Sequence, residues 1–301
     1  MTTQLEHKKS RPILRIILWV IAAIYTLILP DAILIYHVVV KHFSPEIARK
    51  VPLAFIILLG VVYLISSLAM KKGIKSLALL VPCAIIVYAF VTLEPNPNKH
   101  IHIPEYIIMS WILFEALALD YRAKGIFILI FICSSMLGIV DELLQGMHPE
   151  RFYGWQDMVM NSAATVIGIF TLAGLRTAPA GDWAWIGCLK KHIKALGIMF
   201  FGAVGAVLAC VYLFDVQAHR TFWGVYPGWL LGWSGLFVIT GSVVVLKPGL
   251  FCTPLLTADD HKSNPADQAM TARLWTLCPL VILMVMHGLV LLIAAGGFSF
   301  R

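Results

Sequence analysis

Three short stretches hold the residues best able to do chemistry. In Asn98-Lys99-His100-Ile101-His102-Ile103-Pro104-Glu105-Tyr106, His102 and Glu105 stand three apart and so neighbour each other on one helix face, with Pro104 suited to a first helical turn. Asp141-Glu142-Leu143-Leu144-Gln145 sets Asp141 and Gln145 one turn apart, and Asp157-Met158-Val159-Met160-Asn161 repeats that spacing with Asp157 and Asn161. A short segment between the last two carries a single basic residue, Arg151. A carboxyl group crowded by like charges takes up a proton near neutral pH, so Glu142 or Asp141, with His102, has the character of a general acid/base. Arg151 and Lys99 suit an anionic group, the planar fork of Arg151 fitting a carboxylate or a phosphate. Glu105, Tyr106, Gln145, Asp157 and Asn161 offer bonds to hydroxyls or amines.

Other chemistries are poorly supplied. His100, His102, Glu105, Asp141, Glu142 and Asp157 are all zinc-ligand types, but no H-E-x-x-H is present, and neither a metal nor another cofactor is expected. There is no G-x-S-x-G and no cysteine beside these acids to serve as a nucleophile. Neither a P-loop nor a dinucleotide fingerprint appears. A structural reading stands beside the functional one: Lys99, Glu94 and Glu150 suit interfacial anchors, and the remaining acids with Arg151 suit salt bridges that lock helices.

The elements that carry these residues follow from composition. Of 301 residues, 60% are hydrophobic and 13% charged, with a mean hydropathy of +0.86. That is too little polarity to cover a soluble globule, and the chain reads as an all-α polytopic membrane protein. Nine apolar runs are long enough to cross a bilayer core about 30 Å thick, at about 14–40, 52–70, 77–93, 103–119, 125–141, 157–175, 195–214, 227–246 and 274–295. The first contains Pro30 and Asp31, and is either one long kinked helix or a span followed by an interfacial piece. The basic residues before it, with no A-x-A site ahead of Asp31, suit an uncleaved anchor.

Counted over alternate loops with the N-terminus inside, sixteen of the 23 Lys and Arg residues fall on the inner side, which favours a cytoplasmic N-terminus. The net charge of +7 is thus a topology signal, and with no basic stretch interleaved with aromatics, nucleic acid is not expected as a partner. Cys83, Cys133, Cys210 and Cys278 lie in apolar runs, and Cys188 and Cys252 in inner loops, so all six are expected reduced. Five of the sixteen acids group differently: Glu105, Asp141, Glu142, Glu150 and Asp157 gather at the outer ends of three successive spans and the loop joining two of them. The face Asn161-Ser162-Ala163-Ala164-Thr165 with Gly168 has the composition of a close helix contact. His287 reads as a bonded packing residue, most of the nine tryptophans as interfacial belts, and Asp31 and Glu115 as intramembrane acids of interest.

Across 77–175 the chain resembles the VanZ-like family, named for a teicoplanin-resistance determinant. The family pattern D-K-x-x-H-x-x-x-Y, D-E-x-x-Q, R, D and N reads here as Asn98, Lys99, His102 and Tyr106, then Asp141, Glu142 and Gln145, then Arg151, Asp157 and Asn161. Asn98 stands where the family often has Asp, Leu144 where it often has His, and Ala164 where Gly is common. The resemblance implies a four-helix VanZ-like core at 77–175 and covers neither the two N-terminal spans (1–76) nor the three C-terminal spans (176–301), which the apolar runs supply, with the Pro, Ser, Asn and alternating charges of about 247–273 reading as a cytoplasmic linker. It also implies a multi-pass protein of the bacterial cytoplasmic membrane. Its outer-face polar residues are expected to recognise a membrane lipid or lipid-linked envelope component, with a link to glycopeptide resistance. An acid/base enzyme acting on a lipid-linked substrate and a non-catalytic scaffold or transport accessory are the alternatives.

Overall fold

The computed structural model describes residues 2–177, 181–218, 226–247, 249, 265–296 and 300. Among the described residues there is no strand, and nine segments are long and apolar enough to cross a membrane, matching the nine expected. The protein is an all-α polytopic membrane protein. Its helices are α1 (Thr2–Ile28), α2 (Ala32–His42), α3 (Pro45–Ala69), α4 (Gly73–Ala78), α5 (Leu80–Leu93), α6 (His102–Ala118), α7 (Ile126–Met147), α8 (Trp155–Leu175), α9 (Trp185–Leu189), α10 (Ile193–Ala218), α11 (Gly228–Leu246) and α12 (Pro265–Gly296).

Local chemistry sets several of the ends. The first apolar run is broken where Pro30 and Asp31 fall, by a 3-10 turn over Leu29–Asp31 that separates α1 from α2. Asp31, one of the two intramembrane acids singled out above, is exposed in that turn. Ser44 caps α3, its hydroxyl accepting from Ile47 N at 3.2 Å, and Pro45 occupies the first turn, where no N–H is needed. The chain leaves α3 through Lys71 and Gly73, both at positive φ. Most of the expected 247–273 linker lies outside the described residues, together with Cys252, Arg220 and Trp223; its last part, from Pro265, is the first turns of α12.

By compactness the chain forms two units. The first comprises Met1–Leu119, Ile126–Gly138 and Gly154–Ala178. Its core is the seam of α6 and α8. The expected small-residue contact is there: Ala164, Thr165 and Gly168 are buried, whereas Ser162 and Ala163 are half-exposed on the flank. A Cβ on Gly168 would stand 2.6 Å from the Ser110 side chain, so only glycine permits this approach. Ser110 donates to Tyr106 O at 2.8 Å, Thr165 donates to Asn161 O at 2.9 Å, and the Ser134 and Thr165 hydroxyls lie 2.8 Å apart. Farther along, Trp111 Nε1 donates to Thr171 at 2.9 Å, and Arg176 pairs with Glu115, which accounts for the second intramembrane acid.

The second unit comprises Asp120–Gly125, Ile139–Tyr153 and Pro179–Arg301. Here α10, α11 and α12 are tied by His287. One ring nitrogen is 2.9 Å from Ser234 Oγ and the other 2.9 Å from Gly202 O, the bonded packing role expected for it. Trp233, expected in an interfacial belt, instead stacks on Phe201 at 4.3 Å and donates to Phe201 O. Trp185 is buried: it stacks on Trp275 at 4.9 Å and donates to Lys124 O, while Trp275 donates to Tyr121 OH. Each of these indole N–H groups finds its acceptor within the protein, Trp233 on α10 and Trp185 and Trp275 on the turn between α6 and α7.

Candidate polar site at the helix ends

In the first unit, the segment before α6 is a 3-10 turn, Pro97–Ile101, initiated by Asn96, whose side chain accepts from Asn98 N. His100 is buried and bonds Glu94 O at 3.0 Å, which fastens this turn to the end of α5. The turn aims Lys99 at the first turn of α8, where Nζ lies 2.9 Å from Asp157 Oδ1 and 3.8 Å from Glu94 Oε2. Asp157 also sits where the N-terminal end of a helix favours a negative charge.

His102, Ile103, Pro104, Glu105 and Tyr106 are all buried in the first turn of α6. His102 Nδ1 and Glu105 Oε2 are 3.2 Å apart, the pairing expected from their spacing, and Tyr25 of α1 donates to Glu105 O at 3.0 Å. One turn into α8 is Asn161, fully buried, with neither side-chain amide atom hydrogen-bonded to another described residue. A Cβ on Gly138 of α7 would lie 3.0 Å from Asn161 Cβ and 3.4 Å from the Tyr106 ring, so that glycine lets the backbone close on this amide.

In the second unit, the C-terminal part of α7 brings Asp141, Glu142 and Gln145, all completely or almost completely buried. The loop after α7 folds back through bonds from His148 N to Gln145 O and from Arg151 N to His148 O. Arg151 thereby meets Gln145: its Nε donates to Oε1 at 2.9 Å and Nη2 to the same oxygen. Its expected role was as a counter-charge to the acids; the fork instead rests on an amide oxygen, leaving the Gln145 Nε2 without a hydrogen-bond partner among the described residues.

Tyr153 was not singled out from the sequence. It is buried between the rings of Phe214 at 4.4 Å and Phe300 at 5.0 Å. Burial pushes its phenol well above the ordinary tyrosine range, and Cys210 and then Glu142 push the same way. The sequence signal that could have found it is the aromatic run Phe152-Tyr153-Gly154-Trp155 within so short a loop.

The fold and these helix ends define a class, an α-helical multi-pass membrane protein with buried acids, amides and paired cations at the ends of three consecutive spans. No family model, no curated protein and no solved structure matches the chain.

Proposed function

We propose that this is a VanZ-like protein of the bacterial cytoplasmic membrane, N-terminus inside, whose outer-face polar residues recognise a lipid or lipid-linked component of the cell envelope. The excess of basic residues on the inner loops supports that orientation, and the ordered set from Lys99 to Asn161 supports the family. One observation carries the reading: Asn161 is fully buried and its amide bonds no other described residue, in the unit whose Glu105 and Asp157 are also buried in the first turns of membrane-crossing helices. An intramembrane acid costs about 2.5–3.5 kcal/mol or more if it faces lipid, and a buried amide without a partner about 1–3 kcal/mol. Such groups are retained where a ligand or water-filled space uses them.

On this reading Lys99 and Arg151 hold an anionic group, while Gln145, Asn161 and the acids bind hydroxyls or amines. Altered access of teicoplanin to its target is the phenotype the resemblance implies. A second reading is favoured by the adjacent buried pair Asp141 and Glu142: an enzyme using one of them, with His102, as acid/base on a lipid-linked substrate.

The test is Glu142→Gln and Arg151→Ala, followed for folded yield by size-exclusion chromatography and for teicoplanin susceptibility of expressing cells. Normal yield with a lost phenotype supports recognition, and an accumulated lipid-linked precursor in the same cells supports the enzyme. Loss of folded protein in both variants means that the polar residues only lock helices.

A further inference from the structure

The far end of the first unit holds a groove unrelated to the acids. It has a volume of about 570 Å³ and lies between α3 and α5 over a floor of α6 and α8, with Tyr63 and Cys83 buried at its base and Val62 and Ala84 exposed at its rim. Most of its polar side chains are already engaged. Trp111 Nε1 donates to Thr171, Thr171 donates to Gly168 O at 2.7 Å, and Tyr63 donates to Ser76 O at 2.7 Å. Apart from the Ser66 hydroxyl, what remains on the wall is hydrocarbon, so a hydrophilic ligand would gain little there. The volume lies within the range of roughly 300–1,000 Å³ usual for small-molecule sites.

Charge marks one end. The groove is lined by the last half of α3, the beginning of α5, the middle of α6 and the C-terminal part of α8, away from His102 and Asp157, which open α6 and α8. At that end the chain turns through Lys71, Lys72 and Lys75, with Lys71 and Lys75 exposed. The turn is joined directly to the groove, because Ser76, next to Lys75, accepts the bond from Tyr63, and Leu80, one turn on, is part of the lining. Basic residues at a membrane surface attract anionic headgroups at about 1 kcal/mol each.

We propose that the groove holds one acyl chain of an anionic glycerophospholipid whose phosphate lies over the Lys71–Lys75 turn. The bilayer supplies that hydrocarbon on every side, and filling the groove recovers dispersion contacts that an empty one lacks. This lipid is bound at the basic end of the unit and does not depend on the role of the polar helix ends.

The test uses the full chain reconstituted in vesicles of equal phosphatidylglycerol and phosphatidylcholine, extracted in mild detergent and weighed by native mass spectrometry. One retained phosphatidylglycerol per chain is expected. Gly60 lines the groove, and a Cβ there meets nothing within 4 Å, so Gly60→Phe fills the space without displacing backbone. It should abolish retention while the circular-dichroism melt stays unchanged; should that variant fail to fold, Ala84→Phe at the rim reads the same quantity. The double variant Lys71→Gln/Lys75→Gln should lower the preference for phosphatidylglycerol over phosphatidylcholine by roughly thirtyfold. Unchanged retention in a folded groove-filling variant, an unchanged headgroup preference in the lysine variant, or a polyprenyl phosphate as the retained species would each overturn the proposal.

Discussion

Two buried polar residues, one in each unit, meet opposite fates. His287 in the second unit has a partner at both ring nitrogens, Ser234 on one side and the Gly202 carbonyl on the other, and so joins three helices. Asn161 in the first unit is as deeply buried, yet its side-chain amide bonds no other described residue. A polar group satisfied on all sides is glue, and removing it exposes its partners. A polar group left over inside the fold contributes nothing to holding it together, and its retention points to something that is not part of the fold. The same contrast separates the Ser110, Ser134 and Thr165 hydroxyls around the α6 and α8 seam, all bonded, from the Asn161 side-chain amide.

The largest effect expected is at the seam itself. Gly168→Ile drives a branched side chain into Ser110 and should cost about 3 kcal/mol or more, seen as loss of folded protein on size-exclusion chromatography. His287→Ala should lower stability by about 3 kcal/mol in a denaturant titration, because it opens a cavity and leaves Ser234 and Gly202 O unpaired, while the envelope phenotype of folded protein stays intact. Asn161→Leu is the decisive counterpart: it should change stability by less than about 1 kcal/mol, or raise it, and still lose the phenotype. If Asn161→Leu destabilises as strongly as His287→Ala, the contrast between glue and site is gone.

Smaller effects refine it. Lys99→Ala removes a part-exposed pair with Asp157 and should cost about 0.5 kcal/mol, less at high salt, with a larger loss if Lys99 also holds a ligand. The smallest concerns Tyr121, in the turn between α6 and α7. Burial pushes its phenol up to about 12, against a partial lowering by the Trp275 hydrogen bond. With the folded value above an unfolded one of about 10, its contribution is complete below pH 10 and is lost as pH rises towards 12. Alkaline unfolding followed by circular dichroism should therefore be shallower over that window in Tyr121→Phe.

Local features were readable in advance wherever one helix decides them. His102 and Glu105 meet because residues three apart share a helix face, and Pro30 with Asp31 interrupts the first apolar run because proline removes a donor the helix needs. The Ala164, Thr165 and Gly168 stripe foretold a tight contact, since only small residues let backbones approach. Partner choice was not readable. Lys99 meets Asp157 in the structure, and Arg151 reaches the Gln145 amide instead of a carboxylate because the loop folds back through His148. Tyr153 escaped notice because its burial depends on Phe214 and Phe300, far along the chain.

By itself the sequence determined the membrane class, the nine spans, the helix faces and the small-residue stripe. Each follows from apolar run length or from a helical repeat acting over a few residues. Only the tertiary structure decided which polar groups are satisfied, which tryptophans stack on a distant ring, and that four helices leave a groove between them. Those outcomes depend on where distant segments come to rest, and a linear pattern holds no distances between them.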